Sequence, residues 1–134
     1  MEIKTIELAR ASLRRCQAAD GFFDAFYGEF FRICPPAEQR FANTDLEVQH
    51  KLLQHALGLL LNYASQEESE PPILERLAER HSRADLAIDP PLYDSFLEAL
   101  LTTIGKFDQQ YTAEIGDAWR QAVMPGVEYM KSKY

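Results

Sequence analysis

Chemistry enters this sequence at His81. Leu74, Leu77 and His81 are spaced i, i+3 and i+7 within Pro72-Ile73-Leu74-Glu75-Arg76-Leu77-Ala78-Glu79-Arg80-His81, so they share one face of a short helix. An imidazole on an apolar stripe needs a partner, because an unpaired buried polar group is costly. Two partners would serve: a metal or cofactor bond, for which neutral imidazole is the commonest side-chain ligand, or a backbone carbonyl in an ordinary core. Tyr27 and Gln49 raise the same question elsewhere. Each is a polar group on a helical face otherwise lined by Phe and Leu. Each either projects a donor into an apolar space or sends its polar end out to water. His50 and His55 are five apart, roughly 140° around a helix. They cannot easily hold one metal between them, and both read as solvated surface histidines.

The elements that must position these groups are helical throughout. Ile6, Ala9, Leu13 and Cys16 mark an amphipathic helix over about 3–18, broken by Asp20-Gly21. Phe22-Phe23, Phe26-Tyr27, Phe30-Phe31 and Cys34 form an aromatic stripe that Pro35-Pro36 ends. Those prolines can open a short turn of helix through Ala37 to Phe41. Thr44-Asp45-Leu46-Glu47 reads as a capping box, opening the longest helix with Leu46, Gln49, Leu53, Ala56, Leu57 and Leu60 inward. An acidic loop from Ser65 to Pro72 precedes the His81 helix. Asp89-Pro90 starts a buried helix marked by Tyr93, Phe96, Leu97, Leu100, Leu101, Ile104 and Phe107. The last helix begins near Thr112, and Pro125 should kink it or split off its final turn. No strand pattern or internal repeat occurs. The fold class is all-α, six or seven helices, as one domain over 1–134.

The totals narrow the function. A net charge of -7 argues against nucleic acid or anionic lipid as partner. No apolar run reaches the roughly 18 residues of a membrane span, and the N-terminus lacks a signal-peptide core. A cytoplasmic protein is expected. Cys16 and Cys34 have no metal-type spacing and read as buried reduced thiols, with a bridge between them the alternative. Short helices alternate with long ones around proline-marked corners. That pattern fits helices crossed steeply about a central space better than a four-helix bundle.

Taken together, these residues resemble the bacterial globins, of the single-domain, flavohaemoglobin-like or globin-sensor-like kind. The resemblance is spread over nearly the whole chain. It rests on Phe26-Tyr27-Gly28-Glu29-Phe30-Phe31, on Phe41 after the Pro35-Pro36 corner, and on Gln49 with Leu53 four residues on. It rests also on Leu77-Ala78-Glu79-Arg80-His81, on Pro90-Pro91-Leu92-Tyr93, and on Asp117-Ala118-Trp119. Their order and separation carry it rather than any one piece.

The resemblance implies a globin fold around a haem b pocket, with His81 as the proximal iron ligand. It implies Phe41 packed on the porphyrin, Leu53 crowding the distal face, and Leu77 and Tyr93 near the proximal histidine. Arg80 becomes a partner for a haem propionate, with Arg83 and Lys51 as alternatives. Tyr27 and Gln49 become distal donors to bound dioxygen, which gains negative charge; a one-residue change of register would put His50 in the place of Gln49. The implied activity is reversible binding of dioxygen, with carbon monoxide and nitric oxide, and oxidation of nitric oxide to nitrate. An external reductase is expected for turnover, since these residues hold no flavin or nicotinamide segment. The rival is a gas-sensing module acting through a partner or a ligand-dependent dimer of the last two helices. Monomer and homodimer both stay open.

Overall fold

Local signals set where the helices start and stop. The computed structural model describes residues 2–65, Ala78 and 90–133; Leu77, Arg80, His81 and Arg83, with the helix expected through His81, lie outside the described residues. Six helices are described: α1 (Ile3–Ala18), α2 (Phe22–Ile33), α3 (Pro35–Arg40), α4 (Leu46–Ala64), α5 (Pro90–Phe107) and α6 (Ala113–Ser132). No strand occurs among the described residues, so the all-α expectation holds.

Gly21 turns the chain between α1 and α2 at φ +83°, a left-handed conformation that glycine adopts without the Cβ penalty. Pro35 and Pro36 open α3, where their missing N–H groups cost little, and α2 accordingly stops at Ile33. Thr112 caps α6, its hydroxyl accepting from the Ile115 amide at 3.2 Å. The cap of α4 is Asp45 rather than Thr44: its carboxylate accepts from the Glu47 and Val48 amides at 3.0 and 3.4 Å. A negative cap also meets the positive end of the helix dipole.

Two other expectations change. Leu46 does not face inward; it is 38% exposed, because the first turns of α4 project past the core and full burial begins at Leu53. Of the two outcomes expected at Pro125, the split is not seen: the last helix runs unbroken to Ser132. Gly126, Val127 and Met130 are buried on its inner side, and Gly126 lies against Leu60 of α4. That packing holds the last turns in line despite the lost backbone bond.

The core centres on Trp119, Phe22, Phe26, Leu57, Leu100 and Ile104, all fully buried. α2 packs along α5, while α1 and α4 both pack on α6. A buried polar clasp ties α1 to the α5–α6 corner. The Asp108 carboxylate accepts from Ser12 Oγ at 2.6 Å, from Arg15 Nε and Nη2 at 2.5 and 2.8 Å, and from the Gln110 amide at 2.9 Å. Burial pushes that carboxyl up, but the Arg15, Ser12 and Gln110 bonds outweigh it and hold it below the usual carboxylate range. Cys16 is buried and Cys34 half-buried; both are free thiols, so no bridge joins them. No helix among the described residues is long and apolar enough to cross a membrane.

Candidate functional site

Two aromatic stripes run along α2, each with a different partner. Phe22, Phe26 and Phe30, four residues apart, turn toward α5. Phe26 meets Phe96 edge-on at 5.3 Å between ring centroids, and Phe22 meets Phe107 at 5.8 Å. Phe23, Tyr27 and Phe31 make the second stripe, which faces the α3 corner and the first turns of α4. Tyr27 and Phe31 each lie 5.6 Å from Phe41, which caps the end of α3. The corner expected from Pro35-Pro36 therefore delivers Phe41 to Tyr27.

Tyr27 is 4% exposed, and burial pushes its phenol up to about 12, with the Gln49 side chain near enough to pull the other way. The phenol therefore keeps its proton at neutral pH and can serve as a donor. Gln49 is half-buried, and Leu53, one turn further on the same face of α4, is buried. The structure thus brings Tyr27, Gln49 and Phe41 together, with Leu53 beside Gln49 on its helix. Tyr93 is buried on α5, one turn before Phe96, and burial pushes its phenol up to about 12. Lys51 is exposed and lines a groove of about 540 Å³ with Leu13, Gln17 and His55, where α4 runs beside α1.

His55 is exposed, in keeping with a surface histidine, but His50 is not. Its ring stacks on Tyr27 at 5.7 Å and 13° and on Phe23 at 5.8 Å and 25°. The correction has a physical cause. Phe23 and Tyr27 are four apart, so their rings form a flat apolar ridge, and the ring at position 50 covers it. The α2 pattern signals that ridge; nothing in the α4 pattern says which residue meets it.

A haem is a wide, mostly apolar plate that brings its own metal, so its fit can be judged from the walls and donors present. Phe31 and Phe41 pack on the core yet are only half-buried, leaving apolar ring surface beside the buried Tyr27. Among the described residues no three His, Cys, Asp or Glu side chains converge to hold a bare metal ion. The donors that do converge are a phenol and an amide, which suit a polar ligand rather than a metal. These residues fit the plate and a small ligand on it.

Comparison with known proteins agrees with that chemistry. A family model described as Globin matches residues 24–126. Among solved structures, a protein from Pseudomonas aeruginosa PAO1, described as structurally highly homologous to a human hemoglobin, is 38% identical to this chain. The two superpose with a TM-score of 0.92, covering 97% of this chain and 98% of the other. The comparison with curated proteins returned no match.

Proposed function

This chain belongs to the globin family of haem-binding proteins and has the globin fold, and from that premise we propose that it carries haem b and reversibly binds dioxygen, with carbon monoxide and nitric oxide as further ligands. The observation that carries this reading is the buried Tyr27 phenol, walled by aromatic rings with the Gln49 side chain beside it. In this reading His81 holds the iron, with its other ring N–H on a backbone carbonyl. Leu77 and Tyr93 lie on the proximal side, Arg80 meets a propionate, Phe41 packs on the porphyrin face, and Leu53 crowds the distal side.

Haem, when bound, supplies a ferrous iron that takes up a diatomic gas and shifts electron density onto it. The rest is done by the chain. Tyr27 donates its O–H to a ligand that gains negative charge, and an amide from Gln49 directed at the phenol oxygen would polarise that O–H into a stronger donor. Apolar walls of Phe and Leu thin out competing water and keep the local dielectric low, which strengthens the same bond. Carbon monoxide gains little charge and profits less. Discrimination between the gases therefore rests on Tyr27.

Oxidation of nitric oxide by dioxygen to nitrate takes up one electron per turnover, so sustained activity would need an external reductase. The outward faces of α5 and α6 carry Asp94, Glu98, Glu114, Asp117 and Glu128, all exposed, with Met124 the one large exposed apolar side chain on these two helices. Acidic, solvated faces favour gas binding by a monomer over signalling through a dimer of these helices. An absorption spectrum tests the proposal. Reduced protein supplied with haem should show a Soret band that moves on adding dioxygen and again on adding carbon monoxide. A protein with no Soret band ends it.

A further inference from the structure

α2 and α4 both line the Tyr27 pocket, and the ring that joins them there is His50. Its imidazole lies nearly parallel to the Tyr27 ring (13°) and tilted 25° from Phe23, at 5.7 and 5.8 Å. Its Nε2 is buried without a hydrogen bond, and its polar contact is an approach of 3.4 Å to the carboxylate of Asp24, whose side chain is largely exposed. The ring's broad contacts are those of its faces.

We propose that His50 is a positioning residue for the gas-binding site: it braces α4 against α2 and fixes the plane of the Tyr27 ring, so that the phenol donates in one direction. Adjacent residues on a helix differ by about 100° in direction. With His50 locked on the ridge of Phe23 and Tyr27, Gln49 is turned toward the phenol. One imidazole thereby sets both the phenol's plane and the side of it that the amide approaches. A smaller side chain would leave a gap into which the Tyr27 ring can tilt and toward which α4 can settle, and both movements spoil the donor's aim. The inference rests on the reading of Tyr27 as the donor to bound gas.

The test uses haem-loaded protein with His50→Ala and His50→Phe, and His50→Leu should the alanine variant not fold. His50→Ala is expected to release dioxygen about fivefold faster or more, while carbon monoxide release stays within about twofold. His50→Phe keeps a flat ring and should return dioxygen release close to the wild-type rate. In a Tyr27→Phe background the alanine change should add nothing, since no donor remains to misplace. A second readout needs no gas: the NMR flip rate of the Tyr27 ring should be slow in wild type and His50→Phe, and fast in His50→Ala and His50→Leu.

Unchanged release and unchanged flipping in His50→Ala overturn the proposal, and so does equal acceleration with or without the Tyr27 hydroxyl. A low-spin ferric spectrum that vanishes in His50→Ala would make the imidazole an iron ligand, and that too overturns it. A wild-type protein that binds no dioxygen defeats the gas-binding reading instead. The ring-flip comparison then decides alone whether His50 positions Tyr27.

Discussion

The Gln49 side chain lies beside the Tyr27 phenol, so the two polar groups of an otherwise aromatic pocket are neighbours across the α2–α4 boundary. A buried phenol that keeps its proton has one function to offer, its own O–H. That is the arrangement of a donor waiting for an acceptor.

Tyr27→Phe removes that donor while keeping the ring and its contacts. Dioxygen release should accelerate about tenfold or more, equivalent to about 1.4 kcal/mol or above. Carbon monoxide release should move little. Gln49→Leu should have a smaller effect, and none in the Tyr27→Phe background, because it acts through the phenol. Stopped-flow ligand release checks all three. An unchanged dioxygen off-rate in Tyr27→Phe would turn that hydroxyl away from the ligand.

The same phenol sets a pH dependence. Its pKa is pushed up to about 12, chiefly by burial, against about 10 for an exposed tyrosine. The donor form therefore persists across the ordinary range, and dioxygen release should be flat from about pH 6 to 9 as far as this group decides it. Stability behaves differently. The folded protein favours the neutral phenol, so Tyr27 contributes fully below about pH 10, and the contribution falls as pH rises from there toward 12. Release rates that climb near pH 8 would mean another group controls the donor.

Asp108 makes the opposite prediction. Its folded carboxyl lies below the usual range, so its contribution is present above about pH 4 and is lost as pH falls through the folded value. Asp108→Asn breaks a buried charge pair with Arg15 and weakens the bond to Ser12. The Arg15 side chain is 26% exposed, which moderates the cost to about 2 kcal/mol. Thermal melts should show a Tm drop of roughly 5–8 °C at pH 7, narrowing as pH falls through the acid range. A gap that widens in acid would contradict the assignment.

The parts of this architecture that were legible in the sequence are those decided locally. The α2 stripe, the Pro35-Pro36 corner and the Thr112 cap each follow from residues within a few positions of one another. Thr44 and Asp45 are both good caps, so the neighbouring residue won where the chain's approach brought its carboxylate over the helix end. Pro125 does not end its helix, because Gly126, Val127 and Met130 beyond it are buried, Gly126 against Leu60 of α4. Asp108 passes for an ordinary residue at a helix end until Ser12 and Arg15, more than ninety positions earlier, are folded against it. His50 was misread for a related reason: periodicity names the face of α4 it occupies, not the ring on α2 that covers it.

Two glycines should respond in opposite directions to alanine. Gly28 is exposed on α2 with nothing near an added Cβ, so Gly28→Ala should stabilise by about 0.5–1 kcal/mol through helix propensity alone. At Gly126 the added Cβ would collide with the Leu60 side chain, which is 3% exposed and has little room to move. Overpacking costs about 1–3 kcal/mol, so Gly126→Ala should be destabilising despite the better propensity. Urea midpoints of both variants decide this. Stabilisation by Gly126→Ala would mean that α4 and α6 can separate without loss.

His81 carries the most consequential prediction. Ala78 is 1% exposed and belongs to the core, and on a helix residues three apart share a face. The sequence spacing itself expects His81 on the apolar stripe with Leu74 and Leu77, where an imidazole needs a bond. If that bond is to iron, His81→Ala should lose haem or bind it weakly, and the ferrous spectrum should lose the signature of a nitrogen ligand. Free imidazole added to the variant should restore that signature by entering the vacated space, which a merely destabilised fold would not allow. The two outcomes are read from one titration. A variant whose ferrous spectrum equals the wild type's would place the iron ligand elsewhere, leaving His81 as a core histidine satisfied by a backbone carbonyl.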